Sequence, residues 1–393
     1  MPTSYLIAAR RTPIGKFLGS LSTVPAPQLA AVAIRAALDD ASLAADQVDE
    51  VILGNVLSAG VGQAPARQAA LAAGIPPSVG AVTINKVCGS GLKAVMLADQ
   101  AIRAGDAKLI VAGGMESMSL APHLLPGVRG GWKFGSQSAL DSMQHDGLWC
   151  AVENKGMGSL ADYIATKCSI SRSDQDAFAA ESHRRAIAAQ AAGSFRSQIA
   201  AVSVKAGKAE AQVEQDEGPR TNCTAADLAR LRPAFAADGT ATAGNASQIS
   251  DGAAAVVVAT EEVARANRSP IKARIVAAAT SGVEPKDLFI APVSAMEKVL
   301  SKAGLKASDI DLVELNEAFA AQCLACMRPL DLDPANVNVH GGAIALGHPI
   351  GASGARVLVT LVHALAERKL RYGLAALCLG GGNAVAMIVE RFA

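Results

Sequence analysis

The chain contains itself twice. Residues 36–53 lie over residues 298–315 without a gap, pairing Leu38 with Leu300, Ala41 with Ala303, Leu43 with Leu305, Ala45 with Ala307, Asp49 with Asp311, Val51 with Val313 and Leu53 with Leu315. Both stretches read as an amphipathic helix, a short polar turn and an apolar strand. One residue further along, Ser90-Gly91 falls over Ser353-Gly354, and at a slightly larger offset Leu109–Gly114 falls over Ala375–Gly381. Strands alternating with helices predict mostly parallel sheets covered on both faces. Two such halves packed back to back predict a layered α/β/α/β/α body, with the loops at equivalent ends meeting across an internal twofold axis.

Between the copies, from about Ser119 to Ser250, the character changes. A section bearing Pro, Gly, Trp132 and Trp149 leads into a helical, charge-mixed part from Ser159 to Ala192. An insertion this long predicts a functional excursion, a lid or a binding domain. The run Asp251–Ala259 then returns to a strand that completes the first half. The organisation expected is therefore 1–118 plus 251–271 for the N-terminal half, 119–250 for the inserted loop domain and 272–393 for the C-terminal half.

Three glycine-rich segments each carry one reactive side chain. Asn85-Lys86-Val87-Cys88-Gly89-Ser90-Gly91 delivers a thiol from a strand into a helix start, where unsatisfied amides favour thiolate over thiol. Gly347-His348-Pro349-Ile350-Gly351 and Cys378-Leu379-Gly380-Gly381-Gly382 set an imidazole and a second thiol among glycines, which let backbone amides come close to a ligand. Taken singly, Cys88 reads as a small buried hydrophobe before a turn, His348 as a turn residue, Cys378 as strand-end core, and Asn316 as a cap for a helix beginning at Glu317. Taken together, Cys88, His348 and Cys378 read as one site, because the repeat brings their loops to the same place.

Composition narrows the alternatives. A formal net charge of +1 gives no global field for nucleic acid or an anionic membrane, and eight Phe, three Tyr and two Trp make no stacking platform. Strand character begins within the first few residues, which leaves no room for a leader peptide, and no uninterrupted apolar run reaches ~18 residues. Seven irregularly spaced cysteines suit a reducing, cytoplasmic setting. Cys323-Leu324-Ala325-Cys326 falls in a helical stretch and reads as core filling rather than metal or redox chemistry. A catalytically silent scaffold or a Cys/His metal-binding protein is the reading from another class; a metal site wants several ligands at short spacing.

Five segments together resemble the signatures of thiolases: Asn85–Gly91, Gly113-Gly114-Met115-Glu116-Ser117-Met118-Ser119, Asn316-Glu317-Ala318-Phe319-Ala320, Gly347–Gly354 and Cys378–Gly382. The resemblance spans essentially the whole chain and implies the duplicated five-layer α/β/α/β/α fold with an inserted loop domain. It implies acyl transfer between coenzyme A thioesters: condensation of two acetyl-CoA to acetoacetyl-CoA and CoA, or the reverse thiolysis, with no cofactor beyond those substrates. In that scheme Cys88 carries the acyl group and His348 is its base and an oxyanion donor. Cys378 exchanges the α-proton, Asn316 holds a water for the enolate oxygen, and the amide of Gly380 joins that of Cys88 in a second oxyanion hole.

For coenzyme A and its acyl group the resemblance implies contacts from Leu148, Met157, Arg220, Phe235, Ser247 and Leu288, with Ala318 and Phe319 from the second half. It also implies a homotetramer and a place in fatty-acid and lipid metabolism. One departure stands out. Many acetoacetyl-CoA thiolases carry His-Met-Gly where this chain has Gly156-Met157-Gly158, which leaves a broader-range 3-ketoacyl-CoA thiolase as the alternative enzyme.

Overall fold

The computed structural model describes residues 3–206, 209–267 and 273–392, so the boundary expected between residues 271 and 272 lies outside the described residues. The first half runs β1 (Ser4–Arg11), α1 (Ala26–Asp40), β2 (Glu50–Gly54), α2 (Pro65–Ala72), β3 (Gly80–Ile84), α3 (Ser90–Ala104) and β4 (Leu109–Ser117). The insertion follows, with α4 (Met157–Lys167), α5 (Arg172–Ala192) and three short hairpins, and β5 (Ser250–Thr260) comes after it. The second half runs β6 (Ala273–Gly282), α6 (Ala291–Ala303), β7 (Leu312–Leu315), α7 (Ala320–Met327), α8 (Ile350–Arg368), β8 (Tyr372–Leu379) and β9 (Asn383–Arg391). The repeat is real at this level: α1 leads through a 3-10 turn at Ala45–Gln47 into β2, and α6 leads through one at Ala307–Asp309 into β7.

The strands form one continuous order, β3-β2-β4-β5-β1-β6-β9-β8-β7. Among the described residues the two halves join edge to edge through two residue pairs, Tyr5 with Arg274 and Leu6 with Ala273. The expectation of mostly parallel sheets does not hold. Helical crossovers make β3-β2-β4 and β7-β8 parallel, but β5 runs antiparallel to β1 and β4, and β9 antiparallel to β8 and β6. The physical reason at β8–β9 is a tight connection through Gly380–Gly382. Gly381 and Gly382 have φ of +80° and +86°, which only a glycine turn accommodates cheaply, and so short a loop can only reverse the chain.

Five layers follow from which faces are apolar. One core packs α1 and α2 on the first sheet face (Leu29, Ile34, Val51, Leu53, Val111, Val257), and another packs α6 and α7 on the far face of the second sheet (Met296, Val299, Leu315, Cys323, Ile388). Between them α3 and α8 share a core with both sheets, from Leu92, Val95, Val359 and Leu361 to Val256 and Met387. Ile350 to Leu365 is buried at every position, as expected of a helix walled on both sides. By length and composition α8 is apolar enough to cross a membrane, yet 89% of that stretch is buried inside the protein, so it is a core helix.

The crossing of α3 and α8 is set by two glycines in reciprocal contact. A Cβ on Gly91 would stand 2.6 Å from the Ala355 backbone nitrogen, and a Cβ on Gly354 would run into that of Leu92. Gly91 and Leu92 are the repeat equivalents of Gly354 and Ala355, so the contact obeys the internal twofold axis, and it holds the two loops that precede these helices side by side.

Candidate active site

The loop before α3 is held by its own side chains. Val87 N–H donates to Asn85 Oδ1 at 2.9 Å, Lys86 N–H donates to Ser90 Oγ at 2.8 Å, and Ser90 Oγ donates to the Val87 carbonyl at 2.6 Å. This forces Val87 to φ of +47°, an outlying conformation for a β-branched residue and a sign that the turn is constrained to present its next residue, Cys88. Gly89 then allows the turn to sit on the end of β8, because a Cβ there would stand 2.6 Å from Leu379 Cδ2. Lys86 Nζ closes the junction by donating to Asn383 Oδ1 at 3.3 Å.

This placement brings the backbone N–H groups of Gly380 and of Cys88 itself onto the Cys88 sulfur. Burial nevertheless dominates, pushing the thiol up to about 12. Burial likewise raises Cys378 well above the usual thiol range, reinforced by its neighbours Cys88 and Cys326. The expectation of a standing thiolate at the helix start is therefore corrected: α3 has no side-chain cap and does offer free amides, but desolvation outweighs them. Cys88 rests as a thiol and needs a base.

His348 supplies the geometry of one. Its backbone N–H donates to the Gln248 carbonyl at 3.0 Å and to Ser250 Oγ at 3.2 Å, which fixes the loop before α8. Its Nδ1 lies 2.6 Å from Ser353 Oγ, and that hydroxyl donates its one proton to the Pro349 carbonyl at 2.8 Å. The hydroxyl can then only accept from the ring, so Nδ1 carries the proton and Nε2 carries the lone pair. Nε2 is buried without a hydrogen-bond partner. Burial, with Arg356 adding to it, lowers the imidazole to about 3, so it is neutral and able to accept.

Asn316 is fully buried, and both its Oδ1 and Nδ2 lack partners, whereas α7 starts only at Ala320 and takes no side-chain cap. The capping reading is thus set aside. Leaving a buried donor or acceptor unmade costs about 1–3 kcal/mol, more than a purely structural side chain would retain without return. Glu116 is a site residue that its motif alone does not single out. Its carboxylate accepts from Asn55 Nδ2 (2.7 Å) and Leu57 N (3.1 Å) on one oxygen, and from Val56 N (3.1 Å) and Gly351 N (2.9 Å) on the other. Burial pushes it up to about 7, but all four contacts are donors and none would take a carboxyl proton. It clamps the first turn of α8, next to His348, to the loop after β2.

A cavity of about 900 Å³ opens on these groups. Cys88, His348, Cys378 and Gly380 line it, as do Leu148, Met157, Arg220, Phe235 and Ser247 from the insertion and Leu288, Ala318 and Phe319 from the second half. Of the residues expected at the site, Asn316 alone is not on the wall. Residues that the sequence reading passes over also line it: Lys16, Met118, Gly147, Trp149 and Ile350. Met118 lies within a recognised motif and Ile350 two residues after His348; Lys16 carries no signal. Among the described residues no group of three or more His, Cys, Asp and Glu side chains could hold a metal ion.

Family models match the chain over most of its length: the thiolase N-terminal domain over residues 4–262 and the thiolase C-terminal domain over residues 269–391. Among curated proteins it is 54% identical, over 392 residues and the full length of both chains, to a Pseudomonas aeruginosa protein named acetyl-CoA acetyltransferase. It is 50% identical, again over 392 residues and both full lengths, to one of the same name from Cupriavidus necator. The crystal structure of the Bacillus anthracis acetyl-CoA acetyltransferase superposes with a TM-score of 0.97 at 40% identity, covering 100% of this chain and 99% of that one.

Proposed function

The chain belongs to the thiolase family, and from that premise we propose that it condenses two acetyl-CoA to acetoacetyl-CoA and CoA, or runs the reverse thiolysis, through an acyl group on Cys88. The observation that carries the residue roles is the neutral His348 with Nε2 free, facing a cavity it shares with two thiols. In thiolysis, Nε2 takes the Cys88 proton as the sulfur attacks the 3-keto carbon. The amides of Cys88 and Gly380 stabilise the resulting oxyanion. The carbon–carbon bond then breaks, leaving the acyl group on Cys88 and an enolate of acetyl-CoA. His348 and a water held by Asn316 stabilise the enolate oxygen, and the Cys378 thiol protonates its carbon. Free CoA attacks the Cys88 thioester while its proton goes to the Cys378 sulfur, and the proton on Nε2 returns to Cys88. The cycle balances without a cofactor, and a thiol far above neutrality, as Cys378 is, is held in the proton-donating form it needs at the start.

Acetyl-CoA should acetylate Cys88, seen by peptide mass spectrometry. Cys88→Ala should abolish both directions, while Cys378→Ala should still take the acetyl group and lose carbon–carbon chemistry. Acetyl found only on another cysteine, or a Cys378→Ala enzyme that makes acetoacetyl-CoA at near the unmodified rate, would overturn these roles.

The broader-range 3-ketoacyl-CoA thiolase is favoured by one observation: a Cβ at Gly147 would lie 3.0 Å from Ile350 Cδ1, so its absence leaves room at the cavity wall beside Cys88. A homotetramer is supported by Leu125, Val128, Trp132 and Phe134, large apolar side chains left exposed on the loop between Leu124 and Leu140. Light scattering after size exclusion decides it, and a monomer at micromolar concentration counts against it. Seven unpaired cysteines support a reducing cytoplasm, in keeping with a place in lipid metabolism.

A further inference from the structure

The two thiols stand on different walls of one cavity. Cys88 packs against an aliphatic set, Val56, Leu57, Met118, Met143 and Ile350. Cys378 belongs to a set that includes Leu288, Phe289 and Phe319, in which the two rings meet edge to face at 5.2 Å and 72°, and Phe235 meets Phe319 at 6.1 Å and 75°. Interlocked rings have few ways to yield, whereas methionine and branched aliphatic side chains re-pack around irregular shapes. The reaction proposed above divides the substrate in the same manner. The two-carbon unit whose α-carbon is protonated at Cys378 is the same for every 3-ketoacyl-CoA, while the part that varies is bonded to the Cys88 sulfur.

We propose that acyl-chain length is read on the aliphatic wall beside Cys88, with Met118 and Gly147 as the specificity-determining residues; the inference rests on the thiolase reading of the site. Both residues line the cavity. Gly147 ends a wide helical turn at Met143–Gly147, and a Cβ there would stand 3.0 Å from Ile350 Cδ1 and 3.2 Å from Leu57 Cδ2. The space over those two side chains exists because residue 147 has none. Met118 packs in the same set as Leu57 and Ile350, buried and anchored where its sulfur accepts from Ser250 N at 3.5 Å. Gly156 belongs elsewhere. It neighbours Trp149, and the next residue, Met157, packs on the Cys378 wall.

The test compares kcat/KM for thiolysis of acetoacetyl-CoA and 3-ketohexanoyl-CoA in the unmodified enzyme, Met118→Ala, Gly147→Ala and Gly156→His. Two methylenes in an apolar pocket shift such a ratio by roughly tenfold or more. The six-to-four-carbon ratio should rise by about tenfold in Met118→Ala, fall by about tenfold in Gly147→Ala, and move by less than about twofold in Gly156→His. Should one of the first two fail to fold, the other decides alone, since they act in opposite directions. A ratio unchanged in the folded variants, or moved chiefly by Gly156→His, overturns the proposal. An unmodified enzyme that cleaves neither substrate would instead overturn the thiolase reading itself.

Discussion

Replacing Ser353 by alanine should slow acylation of Cys88 without touching any atom that reacts. The wild-type hydroxyl has one proton, spent on the Pro349 carbonyl, and so takes the His348 Nδ1 proton as an acceptor. Without it, the active tautomer leaves a buried N–H unpaired at a cost of about 1–3 kcal/mol. The other tautomer carries the proton on Nε2, which likewise has no partner, so nothing selects the active form, and with the proton there the ring cannot accept from Cys88. The imidazolium formed as Cys88 gives up its proton would then have an Nδ1–H without its acceptor, which adds that penalty to the barrier, a loss of roughly 5- to 150-fold. Rapid-quench mass spectrometry after mixing with acetyl-CoA reads the rate of Cys88 acetylation directly. Its final extent should stay at one acetyl per chain, since the nucleophile is intact, and the imidazole 15N shifts should report the change of tautomer. A folded Ser353→Ala protein that acetylates within about twofold of the unmodified rate would refute the tautomer argument.

Because burial holds His348 near 3, it is unprotonated throughout the neutral and mildly acid range. The acetylation rate should accordingly stay within about twofold between about pH 5.5 and 7.5; a tenfold fall per unit below pH 7 would restore an ordinary histidine and remove the physical basis for its role. Gly354→Ala, whose new methyl would press on the Leu92 backbone, should lower the urea midpoint by an amount equivalent to about 1–3 kcal/mol and reduce activity with it. A Gly354→Ala protein of unchanged stability would mean that the α3–α8 crossing has slack.

Much of this is legible in the chain itself, for identifiable reasons. The duplication shows because helix, turn and strand each impose a period that survives divergence, and the reactive triplet shows because glycines crowd around it. Strand direction does not. In sequence Gly380–Gly382 reads as a cradle for backbone amides, and the same glycines turn the chain from β8 into β9. The charge state of Cys88 is misjudged because a helix start is visible in sequence and desolvation is not. Ser353 and Glu116 escape because their partners are recognisable only once chain distant in sequence, or the exact pitch of a helix turn, is brought into place: Glu116 reaches Gly351 across the junction of the halves. Met118 and Ile350 fall in or beside recognisable motifs, but that they form one wall with Val56, Leu57 and Met143 gives no signal, since any core would use such side chains.

The reciprocal glycine contact has a consequence for how such a site could arise. Under the repeat, Cys88 corresponds to Gly351 and His348 to Asn85, while Ser90 and Ser353 correspond and both tie down the turn that precedes their helix. Two separate identical subunits meeting about the same axis would have to carry every side chain twice, the sulfur and the imidazole alike on each side. Joining them into one chain removes that symmetry of composition while the contact keeps the symmetry of shape. Nucleophile and base can then specialise independently, while the reciprocal contact of Gly91 and Gly354 keeps the two loops in register.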